Sequence, residues 1–271
     1  MPISPFNRYV VFVFICIVFP CHSFAETLNF DTLEGIAGES VLSSDMTQGS
    51  KSSNGKQLTA PQVFKKVDPA VVTIVLKIQE TYVGHGSGFL IKSNGYILTN
   101  DHVINVKKFG KYASLISIEV ITADGRSHKA QVIKGDPDID LALLKIKGEN
   151  FPVAEIGNAS SINVGETLYI IGTPVRLEYT HSITPGMVSG FDRHNGKIQT
   201  SALIHGGNSG GPAINDQGKV VGVAVAVATS VESKTIQIGG KIENIKIGDY
   251  KPGISFLVPI NYANNLLNLM F

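Results

Sequence analysis

The sequence predicts an all-β protein: two six-stranded antiparallel β-barrels followed by a C-terminal helix. Three observations carry this. Twelve short apolar runs fall into two sets of six, turn signals separate them, and a single convincing helical pattern closes the chain. The first set comprises 71–78, 88–92, 96–99, 115–121, 130–134 and 141–146. The second comprises 167–172, 186–191, 197–200, 212–215, 219–228 and 254–258. Ser93-Asn94-Gly95, Asp124-Gly125 and Asn195-Gly196 are typical of the turns between them. Large and small residues alternate from Val221 to Ala228, as in a strand whose two faces differ in space. In the tail, 259–269, Pro259 suits a helix start, and Leu266, Leu267 and Met270 return to one face.

What precedes the barrels reads differently. Arg8 is followed by a run from Tyr9 to Phe19 that is apolar or aromatic except for Cys16. Ser23-Phe24-Ala25 then places small residues at the −3 and −1 positions of a cut before Glu26. Together these predict a secretory signal peptide over 1–25, with an apolar stretch too short for a comfortable transmembrane span. Residues 26–60 are rich in Ser, Gly, Thr and Asp and read as a flexible linker. A folded domain is expected over 61–271, its first barrel at about 70–147 and its second at about 163–258. The 148–162 stretch is the expected seam, and 62–67 one helical turn.

Both cysteines, Cys16 and Cys21, fall inside the signal segment, so no disulfide framework and no thiol nucleophile is expected. With 23 basic and 22 acidic residues interspersed, there is no block suited to nucleic acid or an anionic membrane. The expectation is an exported protein, periplasmic or secreted, without stable membrane insertion once the signal is cut.

Three stretches carry chemistry. Serine is a weak nucleophile at neutral pH. It needs a base, a group that orients the base, and donors for a developing oxyanion. Ile97-Leu98-Thr99-Asn100-Asp101-His102-Val103 puts a histidine just past a strand. Asp138-Ile139-Asp140-Leu141-Ala142 puts a carboxylate at the mouth of an apolar strand. Gly207-Asn208-Ser209-Gly210-Gly211-Pro212 puts a serine in a tight turn. The last also fits Gly-x-Ser-x-Gly, the α/β-hydrolase elbow. That elbow leads into a helix and requires a later histidine, whereas here a β run follows and no histidine lies beyond His205. Asp101 and Asp138 are rival carboxylates. Asp101 abuts His102, and neighbours on an extended backbone diverge. Asp138 belongs to the Asp136-Pro137-Asp138 turn. Gly84-His85-Gly86-Ser87-Gly88 superficially suggests a nucleotide loop, but strand follows it, not helix. His128, His181 and His194 lie without ligand spacing, and neither a metal site nor a cofactor is expected.

In the order His, Asp, Ser, these motifs follow the chymotrypsin-like arrangement. With Gly86-Ser87-Gly88-Phe89-Leu90-Ile91 and Gly253-Ile254-Ser255-Phe256-Leu257-Val258-Pro259, they resemble the HtrA/Deg family of trypsin-like proteases over about 62–268. The resemblance implies His102 as general base, Asp140 as its orienting carboxylate and Ser209 as nucleophile. The turn Gly207-Asn208-Ser209 would form the oxyanion hole through the amides of Gly207 and Ser209. It further implies a protein or peptide substrate and a homotrimeric assembly. A catalytically idle chaperone-like or peptide-binding module on the same fold is the competing expectation.

The family pattern is broken in places. Typical HtrA chains carry PDZ domains after the protease, whereas this sequence stops at Phe271, so a protease domain alone is expected. The 229–251 segment is long, with two alternating runs about Gly239-Gly240 that read as a β-hairpin. Six positions before the serine, where trypsins carry an acidic residue, stands Leu203. With Ile204 and His205 it is expected to line the substrate pocket, favouring small or aliphatic side chains over Lys or Arg. Activation by a new N-terminus pairing with an Asp beside the serine is not expected, because the neighbour is Asn208. Ordering of the 172–189 loop region is the expected switch.

Overall fold

The computed structural model describes residues 57–78, 80–225, 230–238, 241–249 and 255–268. The signal segment, both cysteines and most of the expected linker lie outside them.

Helix α1 (Ala60–Val67) opens the described chain. Pro61 suits its first turn, and the Thr59 N–H donates to Gln62 Oε1 at 2.9 Å, half of a capping box. Val63 and Val67 are its buried residues. Polar groups fasten it to a distant turn and to the seam: the Leu58 N–H donates to the Asp216 carbonyl at 2.7 Å, and Lys66 reaches Glu155 at 3.1 Å. Glu155 also pairs with Lys219 at 2.8 Å.

Hydrogen bonds from Lys219 and then Lys66 hold the Glu155 carboxyl below its ordinary value of 4.5. A depressed carboxyl stabilises the fold above its unfolded value, and that stabilisation is lost as pH falls through the lower folded value. All three side chains are about half exposed, so solvent screening keeps the contribution under about 1 kcal/mol. Glu155→Gln is therefore expected to lower Tm at pH 7 by at most about 4 °C. Thermal melts of the two proteins should converge once the pH falls below the lowered folded value of Glu155.

Past a 3-10 turn at Asp68–Ala70, six strands close the first barrel: β1 (Val71–Ile78), β2 (Thr81–Lys92), β3 (Tyr96–Thr99), β4 (Ile116–Ile121), β5 (Ser127–Asp136) and β6 (Leu141–Ile146). The order around it is β1-β2-β3-β6-β5-β4. The first six residues of β1 are all buried, as β-branched and aliphatic side chains on both strand faces require. The short helix α2 (Asp101–Ile104) follows β3.

The second barrel comprises β7 (Thr167–Gly172), β8 (Ser182–Phe191), β9 (Ile198–Thr200), β10 (Pro212–Asn215), β11 (Val220–Val225) and β14 (Ser255–Pro259). It closes in the order β10-β11-β14-β9-β8-β7. Between β11 and β14, among the described residues, β12 (Ser230–Ile238) and β13 (Lys241–Asp249) pair only with each other, from Ser230↔Asp249 to Ile238↔Lys241. The expected hairpin is there, outside both barrels.

The seam binds first one barrel, then the other. The Phe151 and Ala154 amides donate to the Ser93 and Leu90 carbonyls, each at 2.9 Å, whereas the Gly157 amide donates to the Val220 carbonyl at 2.8 Å. The closing helical segment is shorter and tighter than its periodicity predicts. A 3-10 turn at Ile260–Ala263 runs into one α-turn, α3 (Asn264–Leu267). The Asn261 side chain accepts from the Ala159 N–H at 2.7 Å and donates to Asn158 Oδ1 at 2.9 Å, which fixes the tail on the seam. Leu266 is buried, Leu267 is half-buried, and Met270 lies outside the described residues.

Candidate active site

Antiparallel pairing of β3 with β6 sets Thr99 opposite Ala142, so the residues just past β3 face those just before β6. This puts His102 on α2 beside Asp140. Asp140 has φ 55°, a left-handed conformation that Asp tolerates better than most residues. There its Oδ1 accepts both the His102 backbone N–H at 3.0 Å and Nδ1 at 2.9 Å, with Oδ2 also 2.9 Å from Nδ1. Asn100 supports the corner by donating Nδ2–H to the Asp140 carbonyl at 2.8 Å. A carboxylate only accepts, so the shared proton sits on Nδ1 and the Nε2 of the neutral ring keeps its lone pair.

The rival carboxylates take other places. Asp138 donates its N–H to Asp136 Oδ1 at 3.1 Å, within the expected turn. Asp101 lies on a helical turn rather than the extended backbone expected, and its buried side chain packs against Gly135. Burial first, and then the Asp140 carboxylate, push the Asp101 carboxyl above the usual range.

Ser209 is almost wholly buried, in a turn between Gly207 (φ 95°) and Gly210 (φ 87°). The Asn208 N–H donates to the His205 carbonyl and the Gly211 N–H to that of Asn208, each at 3.0 Å. The Asn208 amide is thus committed to the turn itself. The Gly210 N–H donates to the Ala224 carbonyl, and the Ala224 N–H to that of Gly211, each at 2.9 Å, tying the turn to β11.

From the first barrel, β2 grips the same turn. The Ser87 N–H donates to the Ser209 carbonyl at 2.8 Å, and its Oγ–H to the Gly207 carbonyl at 2.7 Å. Ser87 is fully buried, and its own carbonyl accepts from Thr99 Oγ1 at 2.7 Å. Gly86 fits between the Val103 side chain, next to His102, and the Ser209 carbonyl. From the sequence, Ser87 is expected only to lead into a strand. Its signal was a small hydroxyl between two glycines on a strand.

Leu203 is half-exposed, Ile204 is buried and His205 is exposed, so the three do not share one environment. His128 packs edge-on against Phe151, centroids 5.5 Å apart, and His181 Nδ1 lies 2.6 Å from Asp68 Oδ1. Among the described residues no cluster of His, Cys, Asp or Glu is arranged to hold a metal ion.

Against known proteins, the model of the trypsin-like peptidase domain matches residues 86–223, half the chain, and spans His102, Asp140 and Ser209. The chain belongs to the trypsin-like peptidase family. Within it, the relatives are of HtrA/Deg type. A protein of Pseudomonas putida named as a probable periplasmic serine endoprotease DegP-like is 35% identical over 189 residues, covering 68% of this chain and 34% of that protein. One of Chlamydia pneumoniae with the same name is 36% identical over 199 residues, covering 71% and 35%. The chain thus spans about a third of the length of the curated relatives it matches. The solved serine endoprotease of Yersinia pestis superposes with a TM-score of 0.60 at 28% identity, covering 78% of this chain and 66% of that one. The paired barrels of this trypsin-like chain are the chymotrypsin-like fold of the HtrA proteases.

Proposed function

We propose that the chain is a serine endopeptidase in which His102, Asp140 and Ser209 act as general base, orienting carboxylate and nucleophile. The observation that carries the reading is the Asp140 carboxylate, which accepts from His102 Nδ1 at 2.9 Å while the second barrel presents Ser209 in a glycine-flanked turn. His102 Nε2 takes the proton as Ser209 Oγ attacks the scissile carbonyl, and imidazolium forms against Asp140. The amides of Gly207 and Ser209 receive the developing oxyanion. His102 then gives its proton to the departing amine, leaving an acyl-enzyme. Water attacks the acyl carbon, with His102 as base again, and the acid product leaves with Ser209 restored.

Leu203 in place of an acidic residue supports a small or aliphatic side chain before the scissile bond, rather than Lys or Arg. Ile204 shapes that region from within, and His205 borders it. The hairpin of β12 and β13 springs from β11, the strand bonded to the serine turn, and contributes to substrate choice. The periplasmic names of the relatives, together with the signal-like N-terminus, support action on misfolded or specific proteins of the cell envelope or secreted ones. A homotrimer is the proposed assembly.

A fluorophosphonate probe tests the chemistry. The wild type is expected to label covalently and Ser209→Ala to remain unlabelled. Equal labelling of the two, or none of either, would count against the protease and in favour of an idle peptide-binding module.

A further inference from the structure

Beside the serine turn stands a histidine with no part in the proposed triad. His85 is two residues before Ser87 on β2, so both side chains project to the same side of the strand. Both hold Thr173, the first residue after β7. Ser87 Oγ accepts the Thr173 N–H at 3.0 Å, and His85 Nε2 lies 2.9 Å from the Thr173 carbonyl. The Thr173 hydroxyl in turn meets that of Thr73 on β1 at 2.6 Å. Thr173 is buried, with its N–H, C=O and Oγ all fastened to the first barrel.

The Thr173 carbonyl presses on Gly207. A Cβ added to Gly207 would collide with that oxygen and stand 2.5 Å from His85 Nε2. Two residues on, the Val175 N–H donates to the Gly206 carbonyl at 2.7 Å, so the same connection clamps the residue before Gly207. That carbonyl packs against the residue whose amide is assigned to the oxyanion, and an amide bonded within the protein cannot serve a transition state.

The tautomer follows from the partners. A carbonyl only accepts, so Nε2 carries the hydrogen and Nδ1 of the neutral ring accepts. Tyr82 supplies the matching donor, its hydroxyl 2.5 Å from Nδ1. Burial, and then the Glu178 carboxylate, push the Tyr82 phenol above its ordinary value, which keeps it protonated as a donor.

We propose that His85 is a positioning residue: its Nε2–H holds the Thr173 carbonyl away from the Gly207 amide, and Tyr82 holds the ring in the tautomer that this requires. The inference rests on the reading of Ser209 as nucleophile and extends it to the residues that hold the Thr173 carbonyl beside Gly207.

His85→Leu removes the donor, and His85→Gln restores one at the position of Nε2. His85→Leu is expected to slow fluorophosphonate labelling and lower kcat on fluorescent casein about tenfold, less than the 10²–10³ of losing an oxyanion donor outright. KM should stay within about twofold, and His85→Gln should recover most of the loss. In ¹⁵N NMR of histidine-labelled protein, the His85 ring should carry its proton on Nε2, and Tyr82→Phe should weaken that preference. Equal damage in both His85 variants, an effect on KM alone, or a proton on Nδ1 would overturn the proposal. A wild type that fails to label although its His85 ring carries Nε2–H overturns the reading of Ser209 and with it the catalytic purpose of the clamp. Normal labelling with an Nδ1–H ring overturns the clamp alone.

Discussion

Ser209→Ala is expected to lower kcat for peptide hydrolysis by about 10⁶, and Asp140→Asn by about 10⁴, with both proteins folded. The first figure is what other serine proteases lose when the nucleophile is removed, because the acyl-enzyme route closes. Only binding and the oxyanion donors then remain. The second follows from one atom. Asp140 Oδ1 accepts both the His102 backbone N–H and Nδ1. An asparagine can keep its oxygen on the backbone N–H, which turns its NH₂ toward Nδ1. That forces the ring to carry its proton on Nε2, where it can no longer act as base toward Ser209. Steady-state hydrolysis of casein by the purified variants, with circular dichroism to verify folding, measures both. An Asp140→Asn protein within tenfold of wild type would remove Asp140 from the proposed mechanism.

Gly210→Ala is the substitution expected to cost the most stability, about 3–5 kcal/mol, because two penalties add. Gly210 has φ 87°, in the left-handed region where a Cβ is strained. The added carbon would also run into the Ser87 carbonyl and the Thr99 hydroxyl, both buried and bonded to each other. Neither can retreat without breaking the grip of β2 on the serine turn. Tm should fall by about 10 °C or more, and probe labelling should fall with it. An unchanged melting temperature would mean that the turn is held less tightly than its contacts imply.

Much of this architecture was legible along the chain. Apolar periodicity placed β1, β3, β6, β7 and β10 at their observed bounds, since each is mostly buried and pairs over its whole apolar length. Strands β2, β5 and β8 extend beyond their apolar runs. β5 is largely exposed, so its length is set by backbone pairing, with β4 over Ser127–Lys129 and with β6 over Ala130–Asp136, to which hydropathy is blind. Helix α2 was also missed, because four residues carry too little pattern to register. It changes the reason for setting Asp101 aside: the backbone there is helical, and burial against Gly135 takes the side chain out of the site.

By itself the sequence determined the family, the two sets of strands, and which histidine, aspartate and serine stand at strand ends. Those are local properties, written in runs of neighbouring residues and in glycines that only tight turns require. Tertiary structure alone decided how the serine turn is held. Ser87 and His85 meet Gly207 and Thr173 across roughly a hundred residues of chain, through carbonyls and amides that every residue possesses. Backbone groups leave no mark on residue type. Only the closing of two barrels against each other brings them within hydrogen-bonding distance of the turn that carries Ser209.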